Sequence, residues 1–226
     1  MSLWVVVVKL VALALLFDYM NGFHDAANSI ATVVSTGVLK PLQAVAFAAF
    51  FNVAATVGKG IVDPDVLDQC VIFGAWVGAI AWNVITCWYG IPSSSSHALN
   101  GGIVGATLAK AGTAPLVTAG VLKTVTFTFI LPLMGFLLAP LLLVAVAWIC
   151  RRLSLLRVDN VFRRLQLVSA GLHSLGHGGN DAQKTIGMIW LLLIAAGISD
   201  VGDKMPSGWV IWCCYIAIGM GTLFAR

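Results

Sequence analysis

The chain has 226 residues, of which 60% are hydrophobic and only 10% are charged, and its formal net charge is +4. A soluble domain carries about 25% charged residues, so this composition excludes a soluble globular protein and indicates an integral membrane protein. Nucleic-acid binding is not predicted, because the basic residues are not spread over a surface and five arginines fall within residues 151–164.

Apolar runs that fit membrane helices recur along the chain. A hydrocarbon core of about 30 Å needs about 20 apolar residues in a helix. The predicted spans are residues 3–17, 70–89, 125–150, 165–175 and 209–224, and a further run at 42–57 is short for a straight crossing. The pattern predicts an all-α integral membrane protein built as a multi-span helical bundle.

Three other apolar stretches begin with polar or glycine-rich sequence, at residues 26–39, 97–109 and 182–197. Such stretches are typical of half-helices that are entered from an irregular turn. Non-helical backbone at membrane depth is tolerated only where protein or a water-filled cavity surrounds it. We therefore expect broken or re-entrant half-helices that form binding elements.

A basic amphipathic stretch, RRLSLLRVDNVFRRLQ, follows the 125–150 span. Short loops rich in Lys and Arg stay on the cytoplasmic side of a membrane. Residues 151–164 are therefore predicted to form a cytoplasmic loop that sets the topology.

The chain also contains an internal repeat. NGFHDAANSIA, residues 21–31, aligns with HGGNDAQKTIG, residues 177–187, so that Asp25 meets Asp181 and Ser29 meets Thr185. Paired interrupted hydrophobic segments in two halves of a chain are a pointer to a transporter binding site. We predict a first repeat over 1–150, with its signature at 21–36 and a serine-rich re-entrant hairpin at 92–109, and a second repeat over 165–226 with its signature at 177–187. Inversion of the two repeats in the membrane is a hypothesis.

Asp25 and Asp181 are the leading candidates for function. A charged residue at the bilayer centre costs about 2.5–3.5 kcal/mol on insertion scales, so an intramembrane aspartate is a functional hypothesis by default. The natural partner is Na⁺, a proton or a divalent metal held by oxygens. The alternative is a structural ion pair between Asp181 and Lys184, one helical turn away.

Further polar residues follow each aspartate on the same segments. They are Asn28, Ser29, Thr32, Lys184 and Thr185. Short hydroxyl and amide side chains bind an oxyanion or coordinate sodium, and at a helix N-terminus they add to free N–H groups, which suits a phosphate-like anion. The alternative for each hydroxyl is a bond to a carbonyl of its own helix.

The serine run Ser93, Ser94, Ser95 and Ser96 follows Pro92 and precedes His97. Pro is favoured at the start of a new helix, so the run is predicted to be the tip of the re-entrant hairpin. Its hydroxyls offer donors to an anion, with helix capping alone as the alternative.

No metal site other than one for Na⁺ is predicted. The five cysteines form no CxxC pair, and His173 and His177, four residues apart, lack an evident third ligand. Each histidine, including His24 and His97, is predicted to be structural, with proton relay as the alternative.

Three stretches together resemble the inorganic phosphate transporter family. They are GFHDAANSIATVV, GIPSSSSHALNGGIVGA and SLGHGGNDAQKTIG, and GKGIVDPDV and GAIAWNVITCWYGIPSSSSH extend the resemblance over nearly the whole chain. The resemblance implies a transporter in the cell membrane, not an enzyme, that takes up phosphate by symport with Na⁺ or H⁺. It also implies two inverted repeats, no cofactor, a homodimer, and phosphate at the midplane.

The residue patterns and the family's motifs together predict two sets of residues. The phosphate-binding set is Asp25, Asn28, Ser93, Ser94, Ser95, Ser96, Asp181, Lys184 and Thr185. The coupling-cation set is Asp25, Asn28, Ser29, Thr32, Asn180 and Asp181.

The chain departs from the family pattern in three places. The first signature has His24 before Asp25 where many members have Asn, and the run at 42–57 lacks about a dozen apolar residues. A second serine hairpin, placed as far from Asp181 as the first is from Asp25, would fall near position 248, beyond Arg226. We therefore expect a second repeat that is incomplete.

Other functions fit parts of the pattern. Sulfate is also a tetrahedral oxyanion, and metal–phosphate uptake is a further variant of the same transport. Two intramembrane aspartates also suggest an intramembrane aspartyl protease, but the contexts Phe-His-Asp and Gly-Gly-Asn-Asp do not match that chemistry, and it leaves the serine hairpin without a role.

Overall fold

A computed structural model describes residues 3–40, 43, 68–91, 93–114, 116, 118–199 and 206–224, without the side chains of Asp25 and residues 27–32. Within this part, the chain consists of helices and their connections. The helices are α1 (Leu3–Ser35), α2 (Gln69–Trp88), α3 (Ser95–Ala111), α4 (Thr118–Cys150), α5 (Leu155–Ala195) and α6 (Gly208–Phe224). The prediction of an all-α membrane protein is confirmed.

Among the described residues, three helical segments are long and apolar enough to cross a membrane, namely Leu3–His24, Gln69–Trp88 and Thr118–Cys150. The predicted spans at 70–89, 125–150 and 209–224 correspond to α2, α4 and α6. The span at 3–17 is the first half of α1, and the one at 165–175 lies within α5. The short run at 42–57 lies almost wholly outside the described residues.

The two signature helices are continuous, which corrects the prediction of half-helices at 26–39 and 182–197. α1 runs unbroken through the first signature, and α5 runs through the second for 41 residues. A glycine inside a helix costs about 1 kcal/mol relative to alanine, but it also lets two helices approach closely. Gly178 and Gly179 of α5 are buried. Asp181 and Thr185 form hydrogen bonds with other side chains. A continuous helix therefore accommodates both the glycines and the polar residues of the signature.

α1 and α5 run antiparallel. The Thr36 hydroxyl, near the end of α1, donates to Gln166 Oε1, early in α5, at 3.0 Å. The Thr185 hydroxyl, near the end of α5, donates to Asp18, in the first half of α1. The two signatures therefore lie on helices of opposite direction, as inverted repeats require.

α6 packs against α1 at backbone contact distance. A Cβ added to Gly22 would collide with the carbonyl oxygen of Ile218, and one added to Gly221 would collide with that of Tyr19. The Thr222 hydroxyl also donates to the Gly22 carbonyl at 3.2 Å. These glycines allow α1 and α6 to pack without a layer of side chains between them.

α2 and α3 form an antiparallel hairpin, and the serine run extends from its turn into the first turn of α3. Lys110, near the end of α3, pairs with Asp68, the N-cap of α2, at 2.6 Å. Midway along the hairpin, Gly102 packs directly on the Ala75 backbone. The half-helix predicted at 97–109 corresponds to α3, which begins at Ser95 after the irregular connection that follows α2.

The apolar core lies where α1, α2, α5 and α6 meet. Trp76 of α2 is fully buried, and its ring packs against Phe17 of α1 with centroids 5.0 Å apart. Ile189 and Leu192 of α5 and Ile218 of α6 complete this cluster. The buried polar residues Asp18 of α1 and Thr185 of α5 lie on helices that form this core.

α4 stands apart from this core. It is 33 residues long and contains Pro132 and Pro140, and none of its residues is buried. Residues 151–154 connect it to α5, so residues 155–164 of the predicted basic loop are helical. A helix that is apolar on every side is typical of a membrane span.

Candidate functional site

Asp181 lies at the centre of a polar cluster between α5 and the serine hairpin. Its side chain is 7% exposed, and Lys184 Nζ donates to its Oδ1 at 2.8 Å. Residues three apart on a helix share a face, which is why this pair forms within α5. The predicted alternative of an ion pair between these two residues is therefore present in the structure.

Ser96 connects the hairpin to this ion pair. Its hydroxyl donates to Asp181 Oδ1 at 3.3 Å and accepts a hydrogen bond from Lys184 Nζ. His177 adds a ring nitrogen, Nε2, 3.4 Å from Asp181 Oδ2. Three residues that the sequence assigned to phosphate, Ser96, Asp181 and Lys184, are thus brought together from two distant parts of the chain.

The other serines of the run have different surroundings. Ser93 Oγ accepts a hydrogen bond from the Trp82 indole at 2.9 Å. Ser94 is exposed at the N-cap of α3 and makes no side-chain cap bond, whereas Ser95 is buried in the first turn. The structure therefore brings Ser96, and not the whole run, to Asp181.

Thr185 faces a different partner from the one expected. Its hydroxyl donates to Oδ1 of Asp18, and both side chains are fully buried. Asp18 was not predicted as a functional residue, because it directly follows the predicted first span at 3–17. The available signal was an aspartate within the sequence FDYMN, at the end of a long apolar run.

The remaining predicted residues are not joined to this cluster by a described contact. Asp25, Asn28, Ser29 and Thr32 lie on α1, and their side chains are outside the described part of the structure. Asn180 is exposed on α5, unlike its neighbour Asp181.

The histidines make separate contacts. His97 Nε2 lies 3.0 Å from the Thr128 hydroxyl and so links α3 to α4. The rings of His173 and His177 stack at 5.7 Å. The described residues contain no group of three or more His, Cys, Asp or Glu side chains that could hold a metal ion.

A cleft of about 570 Å³ runs along the α2–α3 hairpin. It is lined by small residues, among them Gly78 and Gly102, together with Trp82 and His97. Asp181, Lys184 and Ser96 do not line it, so we assign the chemistry to the polar cluster and not to this cleft.

The cluster has the groups that an oxyanion requires. An ammonium and a hydroxyl donate hydrogen bonds to anionic oxygens, and bonds to charged groups are worth about 1.5–3 kcal/mol. The Asp181 carboxylate adds an acceptor for a proton carried by the anion. Phosphate, which keeps an acidic O–H at neutral pH, can use all three groups.

Comparisons with known proteins identify the class. The model of the Phosphate transporter family matches residues 21–225. The chain is 53% identical over 227 residues to the "Probable low-affinity inorganic phosphate transporter" of Rhizobium meliloti (strain 1021), covering 96% of this chain and 68% of that protein. A Bacillus subtilis (strain 168) protein of the same description is 44% identical over 231 residues, covering 97% of this chain and 69% of that protein.

A solved structure shares the fold. The chain matches "The sodium-dependent phosphate transporter" with a TM-score of 0.85 at 20% identity, over 98% of this chain and 76% of that one. The chain is a membrane transporter and not an enzyme, which removes the alternative of an aspartyl protease. It belongs to the Phosphate transporter family, so the resemblance drawn from its sequence motifs is confirmed.

Proposed function

We propose that this chain takes up inorganic phosphate by symport with a cation, Na⁺ or H⁺. The observation that carries the proposal is the convergence of Lys184, Ser96 and Asp181. The family and the relatives support phosphate as the substrate, and the sodium-dependent structural neighbour supports a cation as the driving ion.

Phosphate binding would rearrange the ion pair. In the structure, Lys184 is paired with Asp181, and Ser96 bonds to both. A phosphate oxygen would take the place of the Asp181 carboxylate at Lys184 Nζ, and Asp181 would then accept a hydrogen bond from the P–OH group. The exchange keeps each group hydrogen-bonded, which matters because an unpaired buried charge is costly.

The other members of the predicted sets belong to the same proposal. Asp25 and Asn28 of the first signature would complete the phosphate site, together with the remaining serines and Thr185. Asp25, Asn28, Ser29, Thr32, Asn180 and Asp181 would provide oxygens for the coupling cation.

We further propose the setting of the protein. It would be a multi-pass protein of the cell membrane, with residues 151–164 on the cytoplasmic side, in keeping with the five arginines of that stretch. The exposed apolar surface of α4 would contact lipid, and two copies of the chain would form a homodimer.

Radiolabelled phosphate uptake into proteoliposomes tests the function. The purified 226-residue chain would be reconstituted, and Na⁺ and H⁺ gradients would be imposed separately, with excess unlabelled sulfate as the competitor. We expect gradient-driven accumulation of phosphate that sulfate does not reduce.

Each other outcome has a clear meaning. Inhibition by sulfate would indicate an oxyanion transporter without preference for phosphate. A strict requirement for a divalent metal would indicate metal–phosphate uptake. No uptake by folded protein under either gradient would contradict the proposal.

A further inference from the structure

Asp18 is a carboxylate that the proposed phosphate site does not use. It lies within the candidate span Leu3–His24 and has no exposed surface. A buried charge in such a position has to be paired or neutralised. Its surroundings therefore indicate what Asp18 can bind.

The two carboxylate oxygens of Asp18 differ in their hydrogen-bond partners. Oδ1 accepts the hydrogen bond from the Thr185 hydroxyl, and the Cys214 thiol is a further hydrogen-bonding neighbour of the carboxyl group. Oδ2 is buried, and within the described part of the chain no N–H or O–H donor reaches it. An unpaired, buried carboxylate oxygen is the place where a proton would bind at least cost.

The surroundings favour a proton over a metal ion. No described ion pair includes Asp18, and its partners are one hydroxyl, which uses its hydrogen to donate, and one thiol. Hard cations require several oxygen ligands. Protonation at Oδ2 removes the buried negative charge without any further ligand.

The titratable and charged groups around Asp18 are few. α5 contributes Asp181 and Lys184, both of which act on Asp18 electrostatically. α2 carries no Asp, Glu, Lys, Arg or His. The other ionisable groups of α1 are Lys9, Tyr19, His24 and Asp25. Those of α6 are Cys213, Cys214 and Tyr215. Lys184 is already paired with Asp181, so no free cation among the described contacts neutralises Asp18.

The position of Asp18 links it to the phosphate site. Its partner Thr185 lies one helical turn from Asp181 and next to Lys184 on α5. A negative charge on Asp18 opposes the arrival of an anion at Lys184, because like charges repel strongly where water is excluded. A proton on Asp18 removes that repulsion, and by linkage a bound phosphate must favour the protonated form to the same extent.

We propose that Asp18 is the proton-carrying residue of the transport cycle, so that the coupling ion is H⁺, with Thr185 as its positioning residue. One proton from the outer solution forms an O–H bond at Oδ2 and is released to the inner solution after phosphate has crossed. This inference rests on the proposed phosphate transport and specifies its coupling ion.

Two assays on the same proteoliposomes test the inference. The first is phosphate accumulation driven by a pH gradient, and the second is exchange of labelled for unlabelled phosphate without any gradient. Asp18→Asn keeps the shape of the side chain but cannot release a proton. We expect it to lose gradient-driven accumulation, down to the level of protein-free vesicles, and to keep phosphate exchange.

The control is Asp159→Asn, an exposed aspartate of α5 paired with Arg163, which we expect to keep both activities. Accumulation by Asp18→Asn equal to that of the unmodified chain would overturn the inference.

A trapped pH dye gives a second measurement that does not depend on any variant folding. Phosphate uptake by the unmodified chain in Na⁺-free buffer should acidify the lumen by more than the same amount of phosphate acidifies the lumen buffer by itself, and uptake that requires Na⁺ would overturn the inference while the proposed function stands. Absence of both accumulation and exchange in the unmodified chain would instead refute the proposed function.

Discussion

Lys184 is the residue of the polar cluster that an arriving anion would bind, in competition with the Asp181 carboxylate. It donates to both Asp181 and Ser96, and its side chain is 35% exposed, so it is not enclosed by the chain itself. Asp181 is more deeply buried than its partner. The cluster therefore offers an accessible cation backed by a buried acceptor, which suits an anion that carries a proton.

A second ion pair, between Asp68 and Lys110, allows a prediction of pH dependence. The ammonium of Lys110 and the backbone N–H of Val71 hold the pKa of Asp68 below its usual value. Because the folded state prefers the charged form, the pair stabilises the fold above the ordinary pKa of about 3.9 and loses this effect as pH falls further. Both side chains are more than 40% exposed, so the contribution should not exceed about 1 kcal/mol.

Thermal unfolding in detergent checks this prediction. We expect Asp68→Asn to unfold at a lower temperature than the unmodified chain at pH 7, and the gap to narrow as the pH falls below about 3.9, the ordinary pKa of an aspartate. A gap that stays constant or widens on acidification would contradict the assignment of the pair.

Individual residues show where the sequence was sufficient and where it was not. Asp181, Lys184 and Ser96 could be grouped from the sequence because such polar chemistry is unusual in apolar sequence, and their side chains contact one another in the structure. Asp18 was missed because its significance depends on Thr185, 167 positions away, and on burial by α6. Neither the long-range pairing nor the burial is visible in a local pattern.

At the level of elements, α1 and α6 depend on glycine for their contact. We predict that Gly22→Ala destabilises the protein by about 1–3 kcal/mol, because the new methyl group collides with the backbone of α6 and forces the helices apart. The matched control is Gly176→Ala, where nothing lies within 4 Å of the added atom. This control should be neutral or more stable, because alanine favours the helix by about 1 kcal/mol.

Melting temperatures of both variants in the same detergent measure the difference. Equal stability of Gly22→Ala and Gly176→Ala would show that the α1–α6 contact is looser than the structure describes.

The same glycines explain why the sequence suggested broken helices. Glycine and polar residues weaken a helix locally, but here helix–helix contact and side-chain pairing compensate, and local sequence does not report either.

At the scale of the whole molecule, the surface of α4 distinguishes a membrane protein from a soluble one. Phe136, within α4, is 75% exposed, and Leu155, outside the candidate spans, is 89% exposed. We predict that Phe136→Arg reduces the membrane-inserted yield, because a charge at bilayer depth costs about 2.5–3.5 kcal/mol. Leu155→Arg is the control and should insert normally. Quantification of each variant in the membrane fraction measures this, and equal yields would contradict the placement of α4 in lipid.

The central claim is that phosphate binds at Lys184 with Ser96 and Asp181. The most direct test compares phosphate uptake by the unmodified chain, Lys184→Gln and Lys123→Gln in proteoliposomes over a range of phosphate concentrations. Lys123 is an exposed lysine of α4 and serves as the matched control. Loss of a charged hydrogen bond worth about 1.5–3 kcal/mol should raise the KM of Lys184→Gln roughly 10- to 100-fold, with Lys123→Gln unchanged. An unchanged KM for Lys184→Gln would contradict the site.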